Sequence, residues 1–336
     1  MSAVVTPAYE WSDLDWKAIE RRVYKLQKRI YKASARGDVK AIHKLQRLLM
    51  TSWSARCLAV RRVTQDNRGK KTAGVDGVKS LPPHNRLRLV TILTLTTLPK
   101  PTRRVWIDKP GTTEKRGLGI PVMRDRATQA LAKLALEPEW ESRFEPNSYG
   151  FRPGRSCHDA IGAIFTSIRL KAKFVLDADL AKCFDRIDHQ ALLTKLQTYP
   201  TLRRAIKGWL KAGVMDGLDV TPTTRGTPQG GVASPLLANI ALHGLETAIM
   251  ASFPRYRMVN GTRERWQPQV IRYADDFVVL HQDKAVIERC QQVATEWLRG
   301  IGLELKPSKT RITHTLHPHE GNVGFDFLGF VRHEVA

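Results

Sequence analysis

Two adjacent aspartates, Asp275 and Asp276, stand between the apolar runs Val270-Ile271-Arg272-Tyr273 and Phe277-Val278-Val279-Leu280. The gap between those runs is short enough only for a tight hairpin turn, which puts both acids at its tip. A further acid, Asp179, ends the run Phe174-Val175-Leu176-Asp177-Ala178-Asp179-Leu180. With a period of two, Phe174, Leu176, Ala178 and Leu180 share one face, read as core, and Val175, Asp177 and Asp179 share the other, read as facing outward. Carboxylates side by side at strand ends repel one another and resist desolvation unless a cation lies between them, and a hard divalent ion suits all-oxygen donors. Three such acids could hold two Mg²⁺, one lowering the pKa of an attacking hydroxyl, the other holding leaving phosphate oxygens. Asp-Asp alone is a common turn dipeptide, so the elements and motifs around it carry the weight.

The 336 residues include 55 Lys+Arg against 32 Asp+Glu, a formal net charge of +23, with 42% hydrophobic and 26% charged residues. That composition builds one large or two medium cores and excludes collagen, low-complexity disorder and coiled coil. Its charge points to a polyanionic partner. Cys57, Cys157, Cys183 and Cys290 form no C-x-x-C pair, which argues for reduced, mostly buried thiols rather than a zinc site or a disulfide framework. No signal peptide or membrane span is expected, so a cytoplasmic, nucleic-acid-associated protein is the expectation.

Helical periodicity runs from Asp13 to Val63, with Trp16, Ile19, Val23, Leu26 and Ile30, then, after a turn at Arg36-Gly37-Asp38, Ile42, Leu45, Leu48 and Leu49. This predicts a helical hairpin whose cations, Arg21, Arg22, Lys25, Lys28, Arg29 and Lys32 among them, have almost no compensating acid and read as an RNA-binding face. A loop follows through Gly74-Val75-Asp76-Gly77. Next comes a β-hairpin from Arg104-Val105-Trp106-Ile107 to Leu118 and Ile120 with its turn at Pro110-Gly111, then a helix from Asp125 to Leu136. The predicted class is α+β.

These residues resemble reverse transcriptases, and more narrowly those of group II introns with their maturase function. Tyr273-Ala274-Asp275-Asp276 is similar to the family signature. So are Gly74 to Gly77, Gly119-Ile120-Pro121, Tyr149-Gly150-Phe151-Arg152-Pro153-Gly154-Arg155-Ser156, Asp179 to Asp185, Gly226-Thr227-Pro228-Gln229-Gly230, Leu303 to Lys309 and Phe327-Leu328-Gly329-Phe330. Together they cover Thr72 to Phe330. The resemblance implies a right-hand polymerase with an antiparallel palm sheet: residues 1–63 a basic helical extension, 64–172 fingers, and 173–336 palm with interleaved fingers elements, ending near the primer grip.

It implies that Asp179, Asp275 and Asp276 hold two Mg²⁺, with Mn²⁺ a possible substitute, and that Asp177 supports them without ligating. Phe184 matches the ring that excludes a 2′-hydroxyl. Lys109 and Arg116, with Lys115 competing beside Arg116, match the cations on the triphosphate, one a point charge and one a planar fork. Gln229 matches the loop at the new base pair, and Lys309 a phosphate contact. Arg152 and Arg155 are expected at template and primer, with Phe327, Leu328 and Gly329 as the primer grip. The implied partners are intron RNA, RNA template, DNA primer and dNTPs, with no membrane. The family continues into a helical thumb that lies beyond the motifs found here, so a separate thumb-supplying chain or a homodimer is expected. Two other readings remain: a non-catalytic RNA-binding splicing cofactor, and a reverse transcriptase of retron, diversity-generating or CRISPR-associated lineage.

Overall fold

The structure is a computed structural model and describes residues 10–96, 98–109, 113–319 and 324–332; the turn expected at Pro110-Gly111 lies outside the described residues. Helices α1 (Trp16–Ala35), α2 (Val39–Thr51), α3 (Trp53–Arg61) and α4 (Pro83–Ile92) precede a ribbon of β1 (Thr102–Asp108) and β2 (Lys115–Ile120). Then come α5 (Met123–Glu141), α6 (Cys157–Ile168), β3 (Phe174–Ala178), α7 (Cys183–Arg186), α8 (His189–Leu196), α9 (Pro200–Leu210), β4 (Val214–Asp216) and β5 (Asp219–Thr221). Helices α10 (Ser234–Leu242) and α11 (Leu245–Ala251) lead to β6 (Tyr256–Val259), β7 (Thr262–Arg265), β8 (Gln269–Tyr273) and β9 (Asp276–His281). After α12 (Lys284–Arg299) follow β10 (Arg311–His314), β11 (Phe325–Phe327) and β12 (Phe330–Arg332). The chain divides into two units, each built from two segments: residues 1–143 with 193–237, and 144–192 with 238–336.

In the first unit Asp15 and Asp38 cap α1 and α2, their carboxylates accepting from the Ala18 and Ala41 N–H at 3.0 and 2.9 Å. The stripes Ile19, Val23, Ile30 and Ile42, Leu45, Leu49 are buried as the periodicity predicts. Leu48 is not; it is 49% exposed. The predicted second helix is two, because extended backbone at Ser52 separates α2 from α3. These helices pack against α5, which is buried around nearly its whole circumference and so lacks an amphipathic stripe.

Helix α5 continues five residues past the expected end at Leu136, through Pro138. A proline inside a helix cannot donate to the carbonyl four residues back, here that of Leu134. The Gln27 side chain supplies the missing donor, its Nε2 bonding the Leu134 carbonyl at 3.0 Å. In the same unit β1 and β2 pair antiparallel, β4 joins β1 in parallel, and the sheet order is β2-β1-β4-β5.

The second unit is organised on an antiparallel sheet of order β10-β3-β9-β8. One face carries Val175, Ile271, Val278 and Leu280, which form a core with Ile161, Ile164 and Ile168 of α6. Leu176, Phe277 and Val279 on the opposite face are equally buried, and α12 contacts β3 and β9. This corrects the expectation that the Val175 face is open: a period of two separates the faces of a strand without saying whether the second is covered. Carboxylates escape the core only where the strands end. The register Ala178↔Phe277 fixes that end.

Replacing Gln27 with Leu should leave the Leu134 carbonyl without its donor and destabilise the protein by about 1–3 kcal/mol. Urea unfolding checks this, and an unchanged midpoint would mean that solvent reaches that carbonyl.

Candidate active site

Asp179 follows the last β3 pair, Ala178↔Phe277, and Asp276 opens β9, so the two acids take the next facing position on one side of the sheet. Directly opposed residues on neighbouring strands have Cβ atoms about 4.5–5.5 Å apart. Asp275 sits one residue back, in the two-residue turn between β8 and β9. Burial, then the charges of Asp275 and Asp179, push the Asp276 carboxyl up to about 7, against the pull of Lys309. Lys309 Nζ lies 3.3 Å from Asp179 Oδ2, and the Lys306 N–H bonds the Asp179 carbonyl at 2.8 Å. Asp177 faces Arg311 across the β3–β10 pair and bonds its Nε at 3.2 Å, consistent with a supporting position.

Hard carboxylate oxygens are the right donor set for a divalent cation, and a cation there would offset both the burial and the neighbouring charges that raise the Asp276 pKa. Among the described residues no three His, Cys, Asp or Glu side chains stand close enough together, as placed, to hold a metal ion. In the protein alone Asp179 is balanced by Lys309 instead.

The acidic turn is held from beneath by Arg272, whose side chain the sequence reading did not single out. It is fully buried, donating from Nη1 to the Ala274 carbonyl at 2.9 Å and Asn239 Oδ1 at 3.1 Å, and from Nη2 to Ser148 Oγ at 2.7 Å. Its own backbone bonds Tyr149 and Asn147. The loop carrying Tyr149-Gly150 therefore runs alongside the turn, so closely that a Cβ on Gly150 would stand 2.3 Å from the Ala274 nitrogen. Ala274 itself takes a φ of 58°, at the first of the two turn positions. Burial pulls the Arg272 pKa below its ordinary value, while Glu145, Cys183 and Glu246 act in the other direction. Glu145 Oε1 accepts from the N–H of Gly244 and Thr247 and the Thr247 hydroxyl, and Glu246 accepts from Asn147 Nδ2 at 2.9 Å. A signal for Arg272 existed: an arginine inside an apolar strand must have buried partners.

Phe184 is half-buried on α7, its ring edge-on to the exposed Phe151 at 6.3 Å, so it is not an ordinary core residue. Arg152 is corrected: it is 7% exposed, donates to the carbonyls of Glu145 and Ser148, and lies over Phe144, so its guanidinium braces the loop and is not open to a template phosphate. Arg155 stays exposed over Tyr149. Phe327 is buried in the α6 core, and Leu328 and Gly329 form the two-residue turn of the β11–β12 hairpin, both with positive φ.

In the first unit Lys109 pairs with Glu114 at 2.6 Å, and its N–H bonds the Glu114 carbonyl, continuing the β1–β2 register. Arg116, two positions beyond Glu114 and opposite Ile107, therefore shares the ribbon face of Lys109, whereas Lys115 points to the other. Pro228-Gln229-Gly230 packs on β2, the Gly119 N–H bonding the Gln229 carbonyl at 2.6 Å. Buried Arg126 ties the same region together through the carbonyls of Pro121, Gly69 and Thr72. Arg21, Arg22, Lys25, Lys28, Arg29 and Lys32 are all exposed along α1.

Residues 107–331 match the family model described as reverse transcriptase (RNA-dependent DNA polymerase), and residues 11–93 match the N-terminal domain of reverse transcriptase. The chain belongs to the reverse transcriptase family. It is 34% identical to Protein YkfC of Escherichia coli K12 over 85% of this chain and 82% of that one. It is 30% identical to the group II intron-encoded protein LtrA of Lactococcus lactis over 69% of this chain, spanning about half the length of that relative, 47%. An uncharacterized 91 kDa protein in the cob intron of Schizosaccharomyces pombe is 31% identical over 64% of this chain and 32% of its own. A Candida albicans telomerase structure aligns with 70% of this chain and 44% of its own, at 14% identity and a TM-score of 0.48. Reverse transcriptases generally use divalent metal ions, in keeping with the acidic donor set. No described helix of this reverse transcriptase is long and apolar enough to cross a membrane.

Burial and the neighbouring Glu145 raise the Glu246 carboxyl from 4.5 to about 7. The folded state thus holds its proton more tightly than the unfolded chain, so stability falls as pH rises from about 4.5 to about 7 and the full cost is present above that. Glu246→Gln keeps an acceptor for Asn147 and should raise the thermal midpoint at about pH 8, while leaving it unchanged at about pH 4.5. Equal shifts at both pH values would assign the effect to packing.

Proposed function

We propose that this reverse transcriptase is of the group II intron kind, extending a DNA primer on an RNA template, with Asp179, Asp275 and Asp276 as the ligands of two Mg²⁺ or, as a substitute, Mn²⁺. The observation that carries this is the convergence of three acids at the ends of adjacent strands, with Asp276 pushed up to about 7 by burial and by the other two. When bound, the ions would lower the pKa of the primer 3′-hydroxyl and neutralise charge on the leaving pyrophosphate. The chain's own part is to hold the carboxylates in register through β3–β9 pairing and to fix the turn through Arg272. Lys309, on a flexible stem, is suited to exchange Asp179 for a substrate phosphate.

Phe184 is the proposed sugar gate, since a ring placed against C2′ leaves no room for a hydroxyl. Lys109 and Arg116 are assigned to the triphosphate, Gln229 to the nascent pair, Arg155 to template or primer, and the Leu328-Gly329 turn to the primer end, all by motif position. The exposed α1 cations are assigned to intron RNA in a maturase role, their charge being unbalanced by nearby acids. Residues 1–63 as extension, 64–172 as fingers and 173–336 as palm complete the reading.

Mg²⁺-dependent primer extension on poly(rA)/oligo(dT) tests the polymerase. Asp275→Asn should lower the rate to below about a tenth, because a lost metal ligand removes several kcal/mol of transition-state stabilisation, while RNA affinity is kept. A mutant that retains its rate would remove Asp275 from the ligand set. Phe184→Val should raise the use of ribonucleotides relative to deoxynucleotides, read as the ratio of kcat/KM values. An unchanged ratio would return Phe184 to a packing role.

A further inference from the structure

At the end of the palm sheet away from the acids, a cavity of about 370 Å³ is lined by Lys171, Lys173, Glu264, Arg265, Gln267, Gln269, Leu280, His281 and Gln282. Asp276 and His281 are the two ends of β9, so this cavity lies about 17 Å along the strand from the acidic turn, at about 3.4 Å per residue. Its charges do not balance. Lys173 is half-buried, its ammonium donates to Ser167 Oγ at 2.9 Å, and among the described residues it has no carboxylate partner. Arg265 and Lys171 are close enough to act on it as repelling cations. The one acid there, Glu264, is taken by Lys171 at 3.1 Å and by Gln282. His281, 5% exposed, accepts the Asp283 N–H at Nδ1, which places its proton on Nε2.

A half-buried ammonium among other cations is costly until an anion joins it. The surrounding hairpin says which kind. Strands β6 and β7 are joined at Asn260-Gly261, both with positive φ, and four arginines stand between 255 and 265 against one acid. By register Tyr256, Met258, Arg263 and Arg265 share one face, and all four are exposed, with Arg263 over the Tyr256 ring at 4.3 Å. Cations interleaved with an aromatic and a thioether on an open ribbon suit the phosphates and base faces of a nucleic-acid strand.

We propose that this cavity binds a backbone phosphate of a nucleic-acid strand lying over the β6–β7 hairpin, a contact separate from the one at the acidic turn. Lys173 and Arg265 hold the phosphate oxygens, and Tyr256 offers a stacking surface. The inference rests on the polymerase reading for the presence of such a strand.

The test combines lysine acetylation footprinting, read by mass spectrometry, with salt titrations of binding to a single-stranded RNA. Parent and Asp275→Asn proteins are compared, so that loss of catalysis and loss of this contact are separable. RNA, and inorganic phosphate at constant ionic strength, should each protect Lys173 from acetylation. Lys173→Met with Arg265→Gln should weaken RNA binding about fivefold or more and flatten the slope of log K against log salt by about 1.4, at about 0.7 per lost contact on a single strand. Arg265→Gln alone, at an exposed position, should give about half that change in slope if the double variant folds poorly. Protection by phosphate with none by RNA would make this a free-anion site and overturn the nucleic-acid assignment. No protection by either, with parallel salt titrations, would overturn the site itself. A parent protein that fails primer extension yet shows phosphate protection would remove the polymerase reading and leave the anion site standing.

Discussion

Mutual repulsion among carboxylates is the constraint this protein is built around. Asp179 and Asp276 face one another across adjacent strands with Asp275 one residue away, in surroundings that already penalise charge. Left to themselves the acids would splay. The backbone prevents it. Antiparallel pairing of β3 with β9 sets one separation, and the guanidinium of Arg272 grips the Ala274 carbonyl, fixing where the turn begins. Glu145 and Glu246 in turn keep the arginine's charge tolerable in the interior. The negative centre therefore rests on a positive one beneath it, which rests on a second pair of acids.

The same economy explains residues that would look wasteful singly. Gly150 has no side chain because the Ala274 backbone fills that space. Asn239 and Ser148 come from distant parts of the chain to complete the hydrogen bonding of one guanidinium, as a buried fork of five donors requires. Lys309 pairs with Asp179 and offsets part of the negative charge gathered there.

Much of this was legible beforehand. The hairpin around Asp275-Asp276, the α1 and α2 stripes, the β1–β2 ribbon and the buried state of Cys57, Cys183 and Cys290 follow from periodicity, spacing and residue type. What escaped depends on distant partners. The helix expected to end at Leu136 runs on through Pro138, with Gln27, more than a hundred residues away, supplying the missing donor. Val175 reads as outward until α6 is laid over it. Arg152 reads as an open cation until two carbonyls of its own loop are found to occupy it. Arg272 was counted only as part of the apolar run 270–273, whereas here it is the centre of a network.

Each unit is stitched from two separated stretches, and Val175 meets Leu280 across about a hundred intervening residues. A ribosome delivers this chain from one end, so neither unit can close when its first stretch emerges. Helices α1–α3 can pack on α5 within the opening 143 residues, but β1 must wait for β4, and β3 must wait for β9. During synthesis a strongly basic, incompletely packed nascent chain is thus exposed for tens of residues at a time, a period in which RNA or a chaperone can reach surfaces that the finished molecule buries.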